Sequence, residues 1–289
     1  MSSSTRLQFP ALARLVLIAS LAAHPVHWFA QTAVSTLVAF SGSQPAATPV
    51  LGPDGALYGT TSTANVVTGG LIYRLAANGS GIDTLYQLRI EDGYSPFGGL
   101  LLGSDDRLYG TTSIGAANEA NTSGTIYRLA PDGSGFTVMH RFANFTGLNA
   151  NGSQTSAEGT NPDSELVEGV SGTSSDGFLY GVTRTGGEFG TGVVYRISMV
   201  DNSFTVLHEF DQITSAADAA LVTNEDGVAP IAPLVYYRFA DDSAELPRRY
   251  VYGTASRGGT TGSGTIFRVR VDGTGFEVLH TFPALVASE

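Results

Sequence analysis

Three histidines recur at one place in the sequence. His140, His208 and His280 each stand two residues before a Phe, in FTVMHRF, FTVLHEF and FEVLHTF. A histidine titrates near neutrality and ligates metals through a neutral ring nitrogen, so equivalent histidines raise proton transfer and metal binding as chemistries. Val38 and Tyr86 fill the same position elsewhere, however, and a place that accepts Val and Tyr is a packing place. Acids also recur. Asp92, Glu158 and Asp226 each precede a Gly-x-x-Pro, with Ser41 standing there in the first unit. They either ring one mouth of the fold or serve only as turn formers. Arg184 and Arg257 have no counterpart in the first two units and offer planar donor forks to carboxylate or hydroxyl groups. Glu188 adds charge beside Arg184, and Phe145, Phe189 and Tyr94 add stacking faces. Aromatics with a few charges on loops suit a glycan or a peptide. These nine residues are the candidate ligand-binding set; none is assigned a catalytic role.

Other chemistries find no support. The loops GGEFGTG (186–192) and GGTTGSG (258–264) look like phosphate cradles, but each runs into an apolar strand rather than a helix N-terminus. There is no Gly-x-Ser-x-Gly elbow, no His-Glu-x-x-His and no twelve-residue calcium loop. With Cys 0, disulfides, thiolate metal sites and thiol nucleophiles are excluded. A formal net charge of -11, from 26 acids against 15 basic residues, argues against reading nucleic-acid phosphates. No cofactor is expected. The hydrophobic fraction of 42% is enough for a real core, and 36 Gly point to a turn-rich, all-β chain.

The elements that would carry these residues repeat four times. Tyr-Gly occurs at Tyr58, Tyr109, Tyr180 and Tyr252, and an aromatic-Arg pair follows each: Tyr73-Arg74, Tyr127-Arg128, Tyr195-Arg196 and Phe267-Arg268. A Gly/Asp/Asn turn and the His-bearing strand come next, with IDTLYQL and VSTLVAF as weaker versions of that strand. Each unit reads as four short strands, a to d, separated by turn signals. A sheet that small cannot hide its apolar faces alone, so units must pack on one another. The expected fold is therefore a β-propeller-like array of four four-stranded units, with stacked sheets as the alternative. The repeated Tyr and Arg are expected to pack and to satisfy carbonyls or acids between units.

The combined pattern Asp-Gly-x-Leu-Tyr-Gly-Thr-Thr, a Gly-rich loop, Gly-Thr-Ile-Tyr-Arg-Leu and Val-Leu-His-x-Phe resembles the GloVer tandem repeat across residues 33 to 282. That resemblance implies repeat architecture and export, since the family consists of bacterial surface or secreted proteins, often with a C-terminal sorting anchor. It implies no particular activity. The chain ends at Ala-Leu-Val-Ala-Ser-Glu without an apolar tail, so no such anchor is expected.

Residues 1–30 read as a secretory signal peptide: Arg6 and Arg14 precede the apolar run Leu15 to Ala23, and small residues follow. The run is too short to span a membrane. Residues 31–289 then form a single repeat domain, with units near 33–81, 82–135, 136–203 and 204–275 and a terminal strand at 276–282. The connections from strand d to the next Pro are long in the last two units, residues 143–161 and 211–229, and are either functional or tolerated insertions. The functional expectation is an exported, non-catalytic module binding a glycan or partner protein through one loop-rich face. The alternatives are a propeller enzyme acting on a sugar, as lyase, lactonase or hydrolase, and a structural envelope protein.

Overall fold

A computed structural model describes Thr36, Ala39, Phe40 and most of residues 44–284; within that range residues 46, 63–68, 116–122, 150, 151, 153, 215–221 and 240–247 are not described. The expected signal peptide and Val34, Ser35, Leu37 and Val38 of VSTLVAF lie outside the described residues. All described strands belong to the unit Val38–Glu289.

Four antiparallel sheets of four or five strands follow one another along the chain, and a three-stranded sheet is built from the connections around the third. The first holds β1 (Gln44–Pro45), β2 (Val50–Leu51), β3 (Leu57–Ser62), β4 (Leu71–Leu75) and β5 (Ile82–Gln87). The second holds β6 (Leu101–Leu102), β7 (Leu108–Thr112), β8 (Thr125–Leu129) and β9 (Thr137–Arg141). Two further strands, β10 (Gly147–Leu148) and β11 (Gln154–Thr160), precede the third sheet. That sheet begins with β12 (Val167–Ser171) and β13 (Ser174–Thr183). After the short strand β14 (Thr185–Gly187) it continues with β15 (Val193–Ser198) and β16 (Phe204–Glu209). The fourth holds β17 (Val228–Pro230), β18 (Val235–Arg238), β19 (Arg249–Arg257), β20 (Thr265–Arg270) and β21 (Glu277–Thr281). Apart from a single 3-10 turn at Ile90–Asp92, the described residues contain no helix. The architecture is all-β and propeller-like, as the repeat pattern predicts. The sheets run one strand later than the sequence units, because each d strand pairs with the c strand before it: β5 with β4, and β21 with β20.

Alternation along each strand explains why units of this size are stable. In β8 the Ile126 side chain joins Tyr109 and Met139 in a cluster with the third sheet, while Tyr127 and Leu129 join a cluster with the first. Successive side chains of a strand point to opposite faces, so one five-residue strand feeds two cores. A third cluster joins Tyr180, Val194, Leu207 and Phe210 to Val251, Phe267 and Val269 of the fourth sheet. Burying each of the large rings is worth about 2 kcal/mol. Among the described residues, no such cluster joins the fourth sheet to the first.

The Tyr-Gly marker has a steric cause. Gly59, Gly110, Gly181 and Gly253 lie directly opposite Tyr73, Tyr127, Tyr195 and Phe267 on the neighbouring strand. A Cβ on Gly110 would come 2.4 Å from the Tyr127 hydroxyl, so the ring lies across the bare backbone. In the first three sheets the Tyr before the Gly is fixed from the a–b turn. Asp54, Asp105 and Asp176 each accept the hydroxyl of the Tyr four residues on, at 3.0, 2.7 and 2.8 Å. The same carboxylates cap the turn, accepting the backbone N–H of Ala56, Arg107 and Phe178. Arg128 and Arg196 donate across to the Met199 and Val271 carbonyls of the next sheet, at 3.0 and 2.8 Å. Arg74 instead takes Asp54 of its own sheet, and Arg268 takes its own Glu277.

Candidate functional site

The d-to-a and b-to-c connections meet at one end of each sheet. Tyr94 bridges Ile114, β11 pairs with β14, and Val228 of β17 stands opposite Arg257 of β19. The long connection 143–161 is a built hairpin: β10 and β11 pair with each other, and Thr146 N–H donates to the Thr155 carbonyl at 2.7 Å. In 211–229 the equivalent bond runs from Thr214 N–H to Thr223 O at 2.8 Å.

The three recurrent acids fasten the bases of these connections. Asp92 is buried and accepts the Tyr86 hydroxyl at 2.9 Å and the Arg89 N–H at 3.1 Å. Glu158 lies 3.2 Å from His140 Nε2 and accepts the Ala143 N–H at 3.1 Å. Asp226, also buried, meets His208 Nε2 at 2.8 Å and accepts the Asp211 N–H and the Asn224 amide. Each acid therefore ties strand d to the start of the chain leaving it. Burial and the Asp92 contact push the Tyr86 phenol up to about 12. Burial lowers the His140 pKa against the opposing pull of Glu158. The His rings stack on the next sheet, His140 on Phe204 at 4.1 Å and His208 on Phe276 at 3.5 Å, which holds them at separate interfaces.

The Gly-x-x-Pro that follows each acid places strained backbone beside this end. Ser95, Asn161 and Ala229, each just ahead of its Pro, have φ of 59°, 58° and 55°. Non-glycine residues tolerate that region only where the surroundings over-determine it. Here each N–H donates to a b–c loop carbonyl of the preceding sheet: Gly69, Ser123 and Thr191, at 3.0, 3.1 and 2.9 Å.

The remaining candidates divide into two groups. Arg184, Glu188 and Phe189 share the third sheet's b–c connection, and the hairpin holds that connection: Asn149 donates its amide to the Phe189 carbonyl, while Phe145 sits at the hairpin base. Glu188 is exposed, its N–H donating to Glu209 at 2.7 Å. Arg257, exposed, belongs to the fourth sheet, and Tyr94, half-buried, to the second. Arg184 is engaged: its Nε lies 3.1 Å from Asp163 Oδ2, and Ser113 Oγ donates to the same carboxylate. Burial raises the Asp163 pKa, against Ser113 and Arg184.

Asp163 and Glu165 escaped the sequence reading. They directly follow Pro162, where the second unit has Phe97 and Gly99 and the fourth has Ile231 and Pro233. A Cβ on Gly99 would come 2.8 Å from Glu165 Oε2, so the carboxylate occupies the room that glycine leaves. Burial raises its pKa too. Extending the repeat alignment past the Pro exposes this break: two acids where the other units carry none.

Among solved structures, a nidogen/laminin complex is similar to this chain at 14% identity and TM-score 0.47, covering 88% of this chain and 72% of that one. A Penicillium chrysogenum α-L-arabinanase complexed with arabinobiose matches at 14% identity and TM-score 0.45, covering 82% of this chain and 67% of that one. A putative TolB from Agrobacterium tumefaciens matches at 16% identity and TM-score 0.39, covering 81% of this chain and 61% of that one, less than two thirds of its length. No curated protein matches the sequence. The Gloeobacter/Verrucomicrobia repeat matches residues 28–229, which contain three of the four Tyr-Gly registers and both acid–His clamps, and the chain belongs to that family.

Proposed function

We propose that the protein is exported and acts as a non-catalytic binding module, taking a glycan against the connections of its third sheet, with Arg257 and Tyr94 as flanking contacts. The observation that carries this reading is the pairing of β11 with β14. The hairpin supports a base on which Phe145 and Phe189 offer stacking faces beside the Arg184–Asp163 pair. A guanidinium and a carboxylate held side by side present directional donors and acceptors to sugar hydroxyls. Asp92, Glu158 and Asp226 serve the site by holding its loops. The apolar run after Arg14 supports export, and intact mass should show a loss of roughly 20 to 30 residues on secretion.

The test is a glycan array and a peptide array probed with the protein, followed by Arg184→Ala and Phe189→Ala. Either change should weaken glycan binding about tenfold. Equal binding by both variants, or retention on peptides alone, defeats the reading. A second reading, a sugar-cleaving or lactone-opening enzyme, draws on the half-buried carboxyls Asp163 and Glu165, whose pKa values are raised by burial. Raised carboxyls suit general-acid work. Product formation from an array-positive glycan, abolished by Glu165→Gln, distinguishes it.

A further inference from the structure

Among the described residues, the faces of the first and fourth sheets that meet no neighbouring sheet carry the same kinds of residue that are buried inside the array. At each internal interface the leading sheet presents a Tyr of strand b, an aliphatic residue of c, an aliphatic residue of d and a terminal Phe or Leu. In the second sheet these are Tyr109, Ile126, Met139 and Phe142, all buried; in the third they are Tyr180, Val194, Leu207 and Phe210, all buried. The fourth sheet presents Tyr252, Ile266, Leu279 and Phe282 in the same register. Here Leu279 is 42% exposed and Phe282 40%, and Val235, opposite Tyr252, is 62% exposed.

One polar group on that face also stands apart from its equivalents. His140 and His208 stack on the first aromatic of the following sheet's d strand, whereas His280 is exposed. Arg128 and Arg196 reach the next sheet's c–d turn, whereas Arg268 folds back on Glu277 at 2.6 Å, as Arg74 of the first sheet does on Asp54. On the opposite side, the trailing face of the first sheet leaves Leu51 62% and Ile82 40% exposed. Its Tyr73 already receives a ring: Phe40 lies 5.1 Å away, matching Phe142 on Tyr195 at 5.3 Å and Phe210 on Phe267 at 5.1 Å. Phe40 thus shows that this face accepts the terminal Phe of a d strand.

We infer that the leading face of the fourth sheet docks on the trailing face of the first sheet of a second copy, head to tail, continuing the internal interface between chains. Phe282 of the incoming copy takes the seat that Phe40 holds, His280 stacks over Ile82, and Arg268 turns to the c–d turn of the partner. The contact is heterologous, so a dimer keeps one free face of each kind for further copies.

Sedimentation of the full chain from about 1 to 100 µM in 0.15 M salt, where charge repulsion is screened beyond about 8 Å, tests this. The parent should associate with rising concentration, and Leu279→Asp and Ile82→Asp should each be monomeric. Both sites are exposed, so neither change removes a buried contact. An equimolar mixture of the two variants should form dimers and nothing larger, because one intact face of each kind remains, on different chains. Phe40→Ala, which frees the seat, should associate several-fold more tightly than the parent. A parent that stays monomeric throughout, whether closed on itself or simply open, overturns the inference. So does a mixture that fails to dimerise, or association that survives Leu279→Asp.

Discussion

Gly110 and Tyr127 show how a residue pair turns a sequence marker into a physical requirement. The marker Tyr-Gly and the aromatic-Arg pair recur together because one supplies a backbone without a Cβ and the other the ring that covers it. Tyr127 is fully buried and its hydroxyl has no hydrogen-bond partner among the described residues, so the ring is held by shape alone. Burial pushes its phenol far above the ordinary range, and it stays neutral. Gly110→Ala forces this ring off its seat in a packed core, and overpacking of that kind costs about 2 kcal/mol. The urea midpoint should fall accordingly, with the slope unchanged. Pairing the change with Tyr127→Ala should recover none of the ring's burial but should cancel the clash, so the two effects will not add.

At the scale of elements, the d strand is clamped to the connection that follows it by a contact that exists in two chemical forms. Tyr86 with Asp92 is the phenol version, and His140 with Glu158 and His208 with Asp226 are the imidazole ones. Burial lowers the His140 pKa, so below the ordinary imidazole value the unfolded chain takes up a proton that the folded chain resists. Stability should be full above about pH 7 and decline as the pH falls through about 6.5. His140→Tyr copies the first sheet's clamp and should flatten that decline; thermal midpoints at about pH 7.5 and 5.5, on either side of the ordinary imidazole value, measure it. An equally steep decline in the variant would place the titrating group elsewhere. Asp163 and Glu165, raised by burial, bind protons more readily when folded and so act with the opposite sign to His140, favouring the folded chain as the pH falls.

The same clamp marks what the sequence could and could not convey about elements. Strand identity and register were legible because Tyr-Gly, aromatic-Arg and His-x-Phe fall at nearly fixed spacing. The shared end of the two loop types was legible because a four-stranded meander admits no other arrangement. The pairing of a recurrent acid with a recurrent His was not, since Asp92 and Tyr86 lie in one motif series and the turn reading of the acid sufficed without a partner. Nor was the hairpin within 143–161. Its strands are rich in Ser, Thr, Asn and Gly, and they gain order from pairing with β14 rather than from an apolar pattern. Arg184 was legible as a charge but not as the partner of Asp163, which the repeat brings to it from beyond the Pro.

Across the whole described unit, stability is a chain of nearest-neighbour interfaces. The second and third sheets are covered on both faces, and among the described residues the first and fourth are covered on one each. In such an array each unit's opening free energy is its own sheet plus the interfaces it must break, so a sheet with one interface opens before a sheet with two. Amide exchange should therefore be slowest in β7, β8, β13 and β15, where both faces are buried, and faster in β21 and β5. β21 carries exposed Leu279 and is the last strand of the fourth sheet; most of β5 is likewise exposed on its outer side. Phe210→Ala removes a ring from the interface between the third and fourth sheets and should cost about 3 to 5 kcal/mol. If the array picture holds, that change should accelerate exchange throughout β19, β20 and β21 while leaving β7 and β8 close to the parent. Uniform acceleration in all four sheets would instead mean one cooperative unit, in which the interfaces are too strong for any sheet to open alone.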